Sequence, residues 1–169
     1  MRKALLVAGV LALAVAAFAA VAPSKLLPSD GAVKGWKAVP GARVEAKGDD
    51  ISKIYNGGYE FYVKNGVTSA ARDLYLRGSA VMEVTVHTMK SEKAAQAFFE
   101  HWKKELRAKS VEKKDGYALF TSPKPPSGWL VSGVYLISAV PSKSGVGPAK
   151  DSRTFLIAVQ KKIRAAGKK

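Results

Sequence analysis

The chain has 169 residues with 28 Lys and Arg against 13 Asp and Glu, two His and no Cys, a formal charge of +15. Without cysteine there is no lipoprotein attachment thiol, no covalent c-type haem, no thiolate metal site and no thiol nucleophile. A field of this sign favours anionic partners: lipid headgroups, acidic polysaccharide or nucleic acid.

Arg2 and Lys3 precede an uninterrupted apolar run, ALLVAGVLALAVAAFAAVA, from Ala4 to Ala22. Small-x-small signals stand at Ala17-Phe18-Ala19 and Ala20-Val21-Ala22, followed by Pro23 and Ser24. This is the layout of a secretory signal peptide over 1–22, leaving a single α+β domain over 23–169. Cleavage after Ala19 is preferred, because Pro23 directly after the second site hinders a signal peptidase. An uncleaved anchor is the alternative, since a run of this length can span a bilayer. Either way the bulk of the protein is expected to be exported, periplasmic or extracellular. Lipid headgroups and acidic polysaccharide then come ahead of nucleic acid as partners. Loss of Arg2 and Lys3 leaves +13, and the nine basic residues after Asp115 face one acid, Asp151, so the C-terminal third carries +8. A mature part of about 150 residues buries roughly two thirds of its unfolded surface and needs no covalent staple.

From Pro23 to Gly48 the punctuation by Pro28, Gly31, Gly35, Pro40 and Gly41 predicts an irregular or short-stranded lead-in, with Trp36 as its anchor to the body. Asp49 and Asp50 then stand where a helix N-cap belongs, ahead of IYNGGYEFY at Ile54 to Tyr62. Ile51, Ile54, Tyr55, Gly58, Phe61 and Tyr62 keep a helical stripe, and Asn65-Gly66 supplies a stop. Asn56-Gly57 competes as a hairpin turn. The helix is preferred, with Gly57 and Gly58 letting it pack closely on a sheet; two mid-helix glycines cost roughly 1 kcal/mol each.

The period changes to two over Val67–Arg77 and Ser79–Met89, joined tightly at Gly78. Ala80, Met82, Val84 and Val86 form the more apolar face of the second strand, and Glu83, Thr85 and His87 the more polar one, expected at a solvated rim. SEKAAQAFFEHWKKELRAK is a helix capped by Ser91, with Ala95, Phe98, Phe99, Trp102 and Leu106 as its buried stripe and His101 at its edge. Strands follow at Tyr117–Thr121 and, as one long run, Trp129–Val140, where Ser132-Gly133 marks a close backbone approach. A last helix runs from about Asp151 to Ala166, with Phe155, Leu156, Val159 and Ile163 inward. The order predicts an α+β fold: an antiparallel sheet of about four to six strands with two to three helices packed mainly on one face.

Two unrelated histidines without ligand spacing give no metal site, no cofactor signal is present, and no Gly-x-Ser-x-Gly elbow supports a serine hydrolase. The acid/base candidates are His87, Glu83 and Glu60. A ligand groove is conceivable along Tyr55, Asn56, Gly57, Gly58, Glu60 and Tyr62. The loop KSGVGPAKDSR lacks the ending of a phosphate loop, yet Lys143, Lys150 and Arg153 before a helix start would suit an anionic group.

Three stretches, LLPSDGAVKGW, IYNGGYEFYVKNGV and YLRGSAVMEVTVHTMKSEKAAQAFF, together resemble a bacterial family of exported proteins, domain-of-unknown-function family 6599. The resemblance runs over roughly Leu26 to Leu106, chiefly through Asn56-Gly57-Gly58-x-Glu60 and Met89-x-Ser91. Ile54 and Tyr55 stand in exchanged order relative to the family pattern, and Tyr59 replaces a small residue. The resemblance implies an envelope location, an α+β fold and a helical motif, and implies no activity. The expected function is therefore a non-catalytic, strongly basic binding or accessory domain for an anionic envelope component or acidic partner protein. Membrane contact would come through the basic surface or an uncleaved N-terminal segment. An envelope hydrolase or lyase using His87, Glu83 and Glu60 is the alternative, and a subunit of a larger assembly, betrayed by an exposed aromatic patch, a third.

Overall fold

The computed structural model of the chain describes residues 20–55, 57–141 and 149–168. The segment expected as signal peptide falls almost wholly outside them, as do Asn56 and Lys143.

The alternation of Val67–Arg77 and Ala80–Met89 becomes two long strands, β3 and β4, once the lead-in's shorter β1 (Lys37–Ala38) and β2 (Val44–Lys47) are counted. They pair antiparallel about a two-residue turn in which Gly78 takes φ +58°, a conformation that costs glycine little. β1 and β2 both pair with β3 on its outer side. β5 (Glu112–Lys114), β6 (Tyr117–Pro123), β7 (Pro126–Ser132) and β8 (Tyr135–Pro141) complete an eight-stranded sheet. Its order is β1-β3-β4-β8-β7-β6-β5, with β2 pairing a different stretch of β3 from β1, and every pairing is antiparallel.

The sheet exceeds the expected four to six strands for two reasons. Trp129–Val140 is not one strand: Gly133 at φ +52° turns the chain so that Ser132 pairs with Tyr135, and the run folds into the β7–β8 hairpin. Both halves are buried on both faces and so lack the alternation that reveals a break. β5 is three polar residues long and carries no periodic signal. Ser132-Gly133 is thus a turn, and the close approach lies at Gly128, where a Cβ would stand 2.9 Å from Leu156 Cδ1.

Helices pack on both faces, not mainly on one. α3 (Glu92–Glu105) begins at Ser91, whose hydroxyl accepts from the Ala94 N–H at 3.1 Å. It buries Ala95, Phe98 and Phe99 against Phe120, Trp129, Val131 and Leu136. α4 (Ala149–Ala166) buries Phe155, Leu156 and Val159 against Met82, Val84, Leu130 and Ile137 on the opposite face. Leu130 and Trp129 are neighbours on β7, so their side chains must point to opposite layers. The lead-in closes the α4 layer: Trp36 is 1% exposed and meets Phe155 edge to face at 5.3 Å. A short α1 (Pro23–Leu26) buries Pro23 and Leu26 there too.

IYNGGYEFY is neither one helix nor a hairpin. A 3-10 helix over Gly48–Lys53 ends before it, Gly57 and Gly58 stand at φ +89° and +72°, and α2 (Tyr59–Lys64) begins after them. Consecutive left-handed residues cannot continue a right-handed helix. Nothing lies within 4 Å of a Cβ built at either glycine, so they serve a turn of the chain and not contact with the sheet. Gly66, at φ +98°, ends α2 as expected.

Candidate functional site

On the α3 face the strand register aligns Phe120, Trp129, Ser138, Thr85 and Arg72 in one row across five strands. His87 lies one pair further along β4, opposite Leu136. The sequence placed Glu83, Thr85 and His87 on a polar rim, yet His87 is 1% and Thr85 2% exposed. Aromatic rings cover them. Tyr55 stacks on Tyr62 at 3.7 Å between centroids, and Tyr62 lies 5.8 Å from the His87 ring and nearly parallel to it.

The hydrogen bonds fix the imidazole's tautomer. His87 Nδ1 faces the Leu136 carbonyl oxygen at 2.8 Å, and a carbonyl only accepts, so Nδ1 carries the hydrogen. Nε2 is then an acceptor, and the Tyr55 hydroxyl donates to it. Burial holds the His87 pKa down to about 4, against a smaller upward pull from the Leu136 bond. The Tyr62 phenol is pushed up to about 12 by burial and then by the Glu83 charge, and the Tyr55 phenol is raised by the same two causes and by Tyr62. Burial also raises the Glu83 carboxyl, opposed by Arg72, whose Nη1 lies 3.6 Å from Glu83 Oε2 and donates to the Ile54 carbonyl at 2.8 Å. Among the described residues the buried Arg72 Nε hydrogen meets no partner.

Both His87 nitrogens are engaged, Glu83 pairs with Arg72, and Glu60 stands exposed on α2, so the three acid/base candidates share no hydrogen-bonded relay. Tyr55 and Tyr62 do come together, above His87; Gly57 and Gly58 are exposed beside them. α2 itself buries no residue, and it presents Phe61 (37% exposed) and Val63 (43%) to solvent. His101 sits against Phe61 and Phe98, the aromatic edge position expected of it. Sequence reading missed Arg72, whose strand position gives no hint that it crosses to the Ile54 carbonyl. It also missed the stack of Trp102 on Trp129 at 4.5 Å, a contact between residues far apart in the chain.

Cations gather elsewhere. An open groove of about 610 Å³ runs between the start of α3 and the β5–β6 end of the sheet. Lys93, Lys113, Lys114 and Gln96 stand along it, Glu92 is the acid in its wall, and Ala118 and Val131 form part of its floor. Next to it, Arg153 at the start of α4 grips Glu112 of β5 through Nε and Nη2 at 2.9–3.0 Å, and Lys114 lies 3.3 Å from the same carboxylate. The Arg153 hydrogen bonds hold the Glu112 carboxyl below its ordinary range. Of the anion candidates, Arg153 is therefore occupied by Glu112, and Lys150 is exposed at the first turn of α4. The β5 lysines went unnoticed in sequence because EKKDG reads as a polar linker. Among the described residues no cluster of three His, Asp or Glu could hold a metal ion.

No family model matches the chain and no curated protein does, so the resemblance to family 6599 rests on its motif residues. A solved structure does match. The chain shares its fold with the extracellular domain of PknH from Mycobacterium tuberculosis. The TM-score is 0.55 and the identity 11%, over 84% of this chain and 94% of that one. At that identity the likeness extends to the fold and not to side chains. The α+β architecture, with antiparallel strands and helices against the sheet, is thus one that an extracellular domain also uses.

Proposed function

We propose that the chain is an exported, non-catalytic recognition domain of the bacterial envelope, and that it holds an anionic envelope component at the β5 end of its sheet. One observation carries the reading: Lys93 from α3 and Lys113 from β5 line a single groove with an apolar floor, and Lys114, whose ammonium lies beside Glu112 on the other face of β5, stands at its rim. Lysines are compact charges on flexible stems, suited to following a polymer or a headgroup surface. The net charge, +13 without Arg2 and Lys3, adds a long-range field that draws such a partner in. Export is supported by the charged, apolar N-terminal layout, by the envelope family that the motifs resemble, and by the extracellular domain that shares the fold. A non-catalytic role is supported by the engagement of both His87 nitrogens within the fold.

The test is retention on phosphatidylglycerol vesicles and on an acidic polysaccharide, with phosphatidylcholine vesicles as the neutral control, across a salt series. The protein should be retained on an anionic surface only and should release as salt screens the charges. Replacing Lys93, Lys113 and Lys114 by Glu should weaken retention at least tenfold. Replacing Lys124, Lys161 and Lys168, which are exposed away from the groove, should weaken it far less. Equal loss from both triple variants leaves a diffuse field without a site, and no retention on either anionic surface refutes the reading.

A further inference from the structure

The groove beside β5 holds more than positive charge. Lys113 pairs in register with Ala118, and Ala118 with Val131, so the three stand side by side on the α3 face, about 10 Å from first to last. Lys113 is exposed, Ala118 partly buried and Val131 buried, which makes the row a cation followed by an apolar floor. α3 supplies the facing wall. Glu92, Lys93 and Gln96 fall within about 100° of one side of the helix, and all three are exposed. Glu92 reaches over the β7–β8 turn, its Oε1 3.7 Å from the place a Cβ would take on Gly133. Among the described residues neither Glu92, Lys93 nor Lys113 forms an ion pair.

We infer that the groove takes an acidic, hydroxyl-bearing glycan of the uronate class, whose carboxylates meet Lys93 and Lys113 while a ring hydroxyl donates to Glu92. The inference rests on the recognition reading above and narrows its partner. Three features select this class. An unpaired carboxylate in the wall of a cation site repels a ligand that offers negative charge alone. A sugar hydroxyl turns the same Glu92 into a partner, because it donates, and hydrogen bonds to an ionised acceptor are among the stronger ones. The second feature is the floor. The Ala118 and Val131 side chains carry no polar atom, which suits the C–H face of a sugar ring laid over them. The third is shape: a bilayer is flat on this scale and would rest on the rim, short of buried Val131, whereas a single polymer strand can lie along the groove.

Binding of the exported protein to oligogalacturonate, polyphosphate and neutral dextran should be measured by calorimetry, with retention on phosphatidylglycerol vesicles alongside. Oligogalacturonate should bind and dextran, which has hydroxyls without charge, should not. Lys93→Gln and Lys113→Gln should each weaken oligogalacturonate about threefold. Glu92→Ala decides the matter. It should weaken oligogalacturonate about fivefold, while polyphosphate, which has charge without hydroxyls, should bind that variant as well as or better than wild type. Unchanged or tighter oligogalacturonate binding in Glu92→Ala overturns the inference and leaves a site of charge alone. Equal weakening of both polymers overturns it too, since Glu92 would then act through the fold. Retention on vesicles without glycan binding also overturns it but leaves anion recognition standing; no binding to any of the three anionic probes overturns both.

Discussion

Tyr55 donates its hydroxyl hydrogen to Nε2 of His87, and the opposite side of the ring sets that direction, because Nδ1 already donates to the Leu136 carbonyl. The pair ties the segment before α2 to the β4–β8 centre of the sheet. It holds a neutral imidazole in a dry layer with Tyr62 alongside and the Arg72–Glu83 pair nearby.

Stability should consequently fall as the medium is acidified. The His87 pKa is about 4 in the fold against about 6.5 unfolded. Between those values the unfolded chain takes up a proton that the folded chain refuses, so the loss accumulates from pH 6.5 down to 4. It amounts to roughly 3 kcal/mol in full. Glu83 acts in the opposite sense: its raised carboxyl favours the fold at low pH and loses that contribution as pH rises through its folded value. Urea unfolding at pH 7.0, 5.5 and 4.5 would show the His87 effect. His87→Gln should be less stable at pH 7 by about 2 kcal/mol, yet flatter over that window. A wild type and a His87→Gln variant whose midpoints change equally from pH 7 to 4.5 would be incompatible with this account.

The two glycines of IYNGGYEFY predict a different response. Gly58→Ala should cost about 1 kcal/mol, because alanine resists φ +72° although space for its methyl is open. Gly58→Asn should cost clearly less, since asparagine tolerates the left-handed region. If the glycines served close packing, the larger asparagine would be the worse of the two, so the order of the melting temperatures decides between them.

Much of the fold is legible in the sequence. The β3–β4 hairpin, the α3 stripe with its Ser91 cap, the α4 stripe and the Trp36 anchor all follow from periods and caps confined to short windows. Three features did not follow, each because the deciding term is non-local or invisible to hydropathy. The helical stripe through Gly58 is real as a hydropathy pattern, but pattern carries no φ, and two left-handed residues break the helix. His87 looked solvated because period two assigns faces without saying what covers them; the cover comes from Tyr55 and Tyr62 on another element. The basic groove needs α3 and β5 side by side, a proximity that no spacing in the chain announces.

Gly128 should be the glycine least tolerant of a side chain among the described ones outside the left-handed region. A methyl there would lie 2.9 Å from Leu156 Cδ1 and 3.1 Å from Ser152 Cβ, so the Leu156 side chain must move and α4 must give by a few tenths of an ångström at Ser152. Gly128→Ala should cost about 1–3 kcal/mol by overpacking. Adding Leu156→Val, which shortens the obstructing side chain, should make the double variant more stable than the sum of the two single losses. Strict additivity in chemical denaturation would show that Leu156 is not the obstacle.

Arg77 closes the edge of the α4 layer by serving two partners at once. Its guanidinium lies 4.6 Å from the centre of the Trp36 ring and donates to both carboxylate oxygens of Asp151, at 2.6 and 3.2 Å. Asp151 is 7% exposed, whereas the Arg77 side chain is 42% exposed. Water therefore screens one partner, and the loss should stay below the 3–5 kcal/mol of a fully buried pair; about 2 kcal/mol is expected for Arg77→Ala. Arg77→Lys keeps the charge but not the flat fork that stacks and chelates together, and should cost about 1 kcal/mol. The decisive variant adds Asp151→Asn to Arg77→Ala. If the cost comes from a carboxylate left buried and unpaired, the second change should recover part of the stability in urea unfolding. A further loss would mean that Asp151 contributes through contacts other than Arg77.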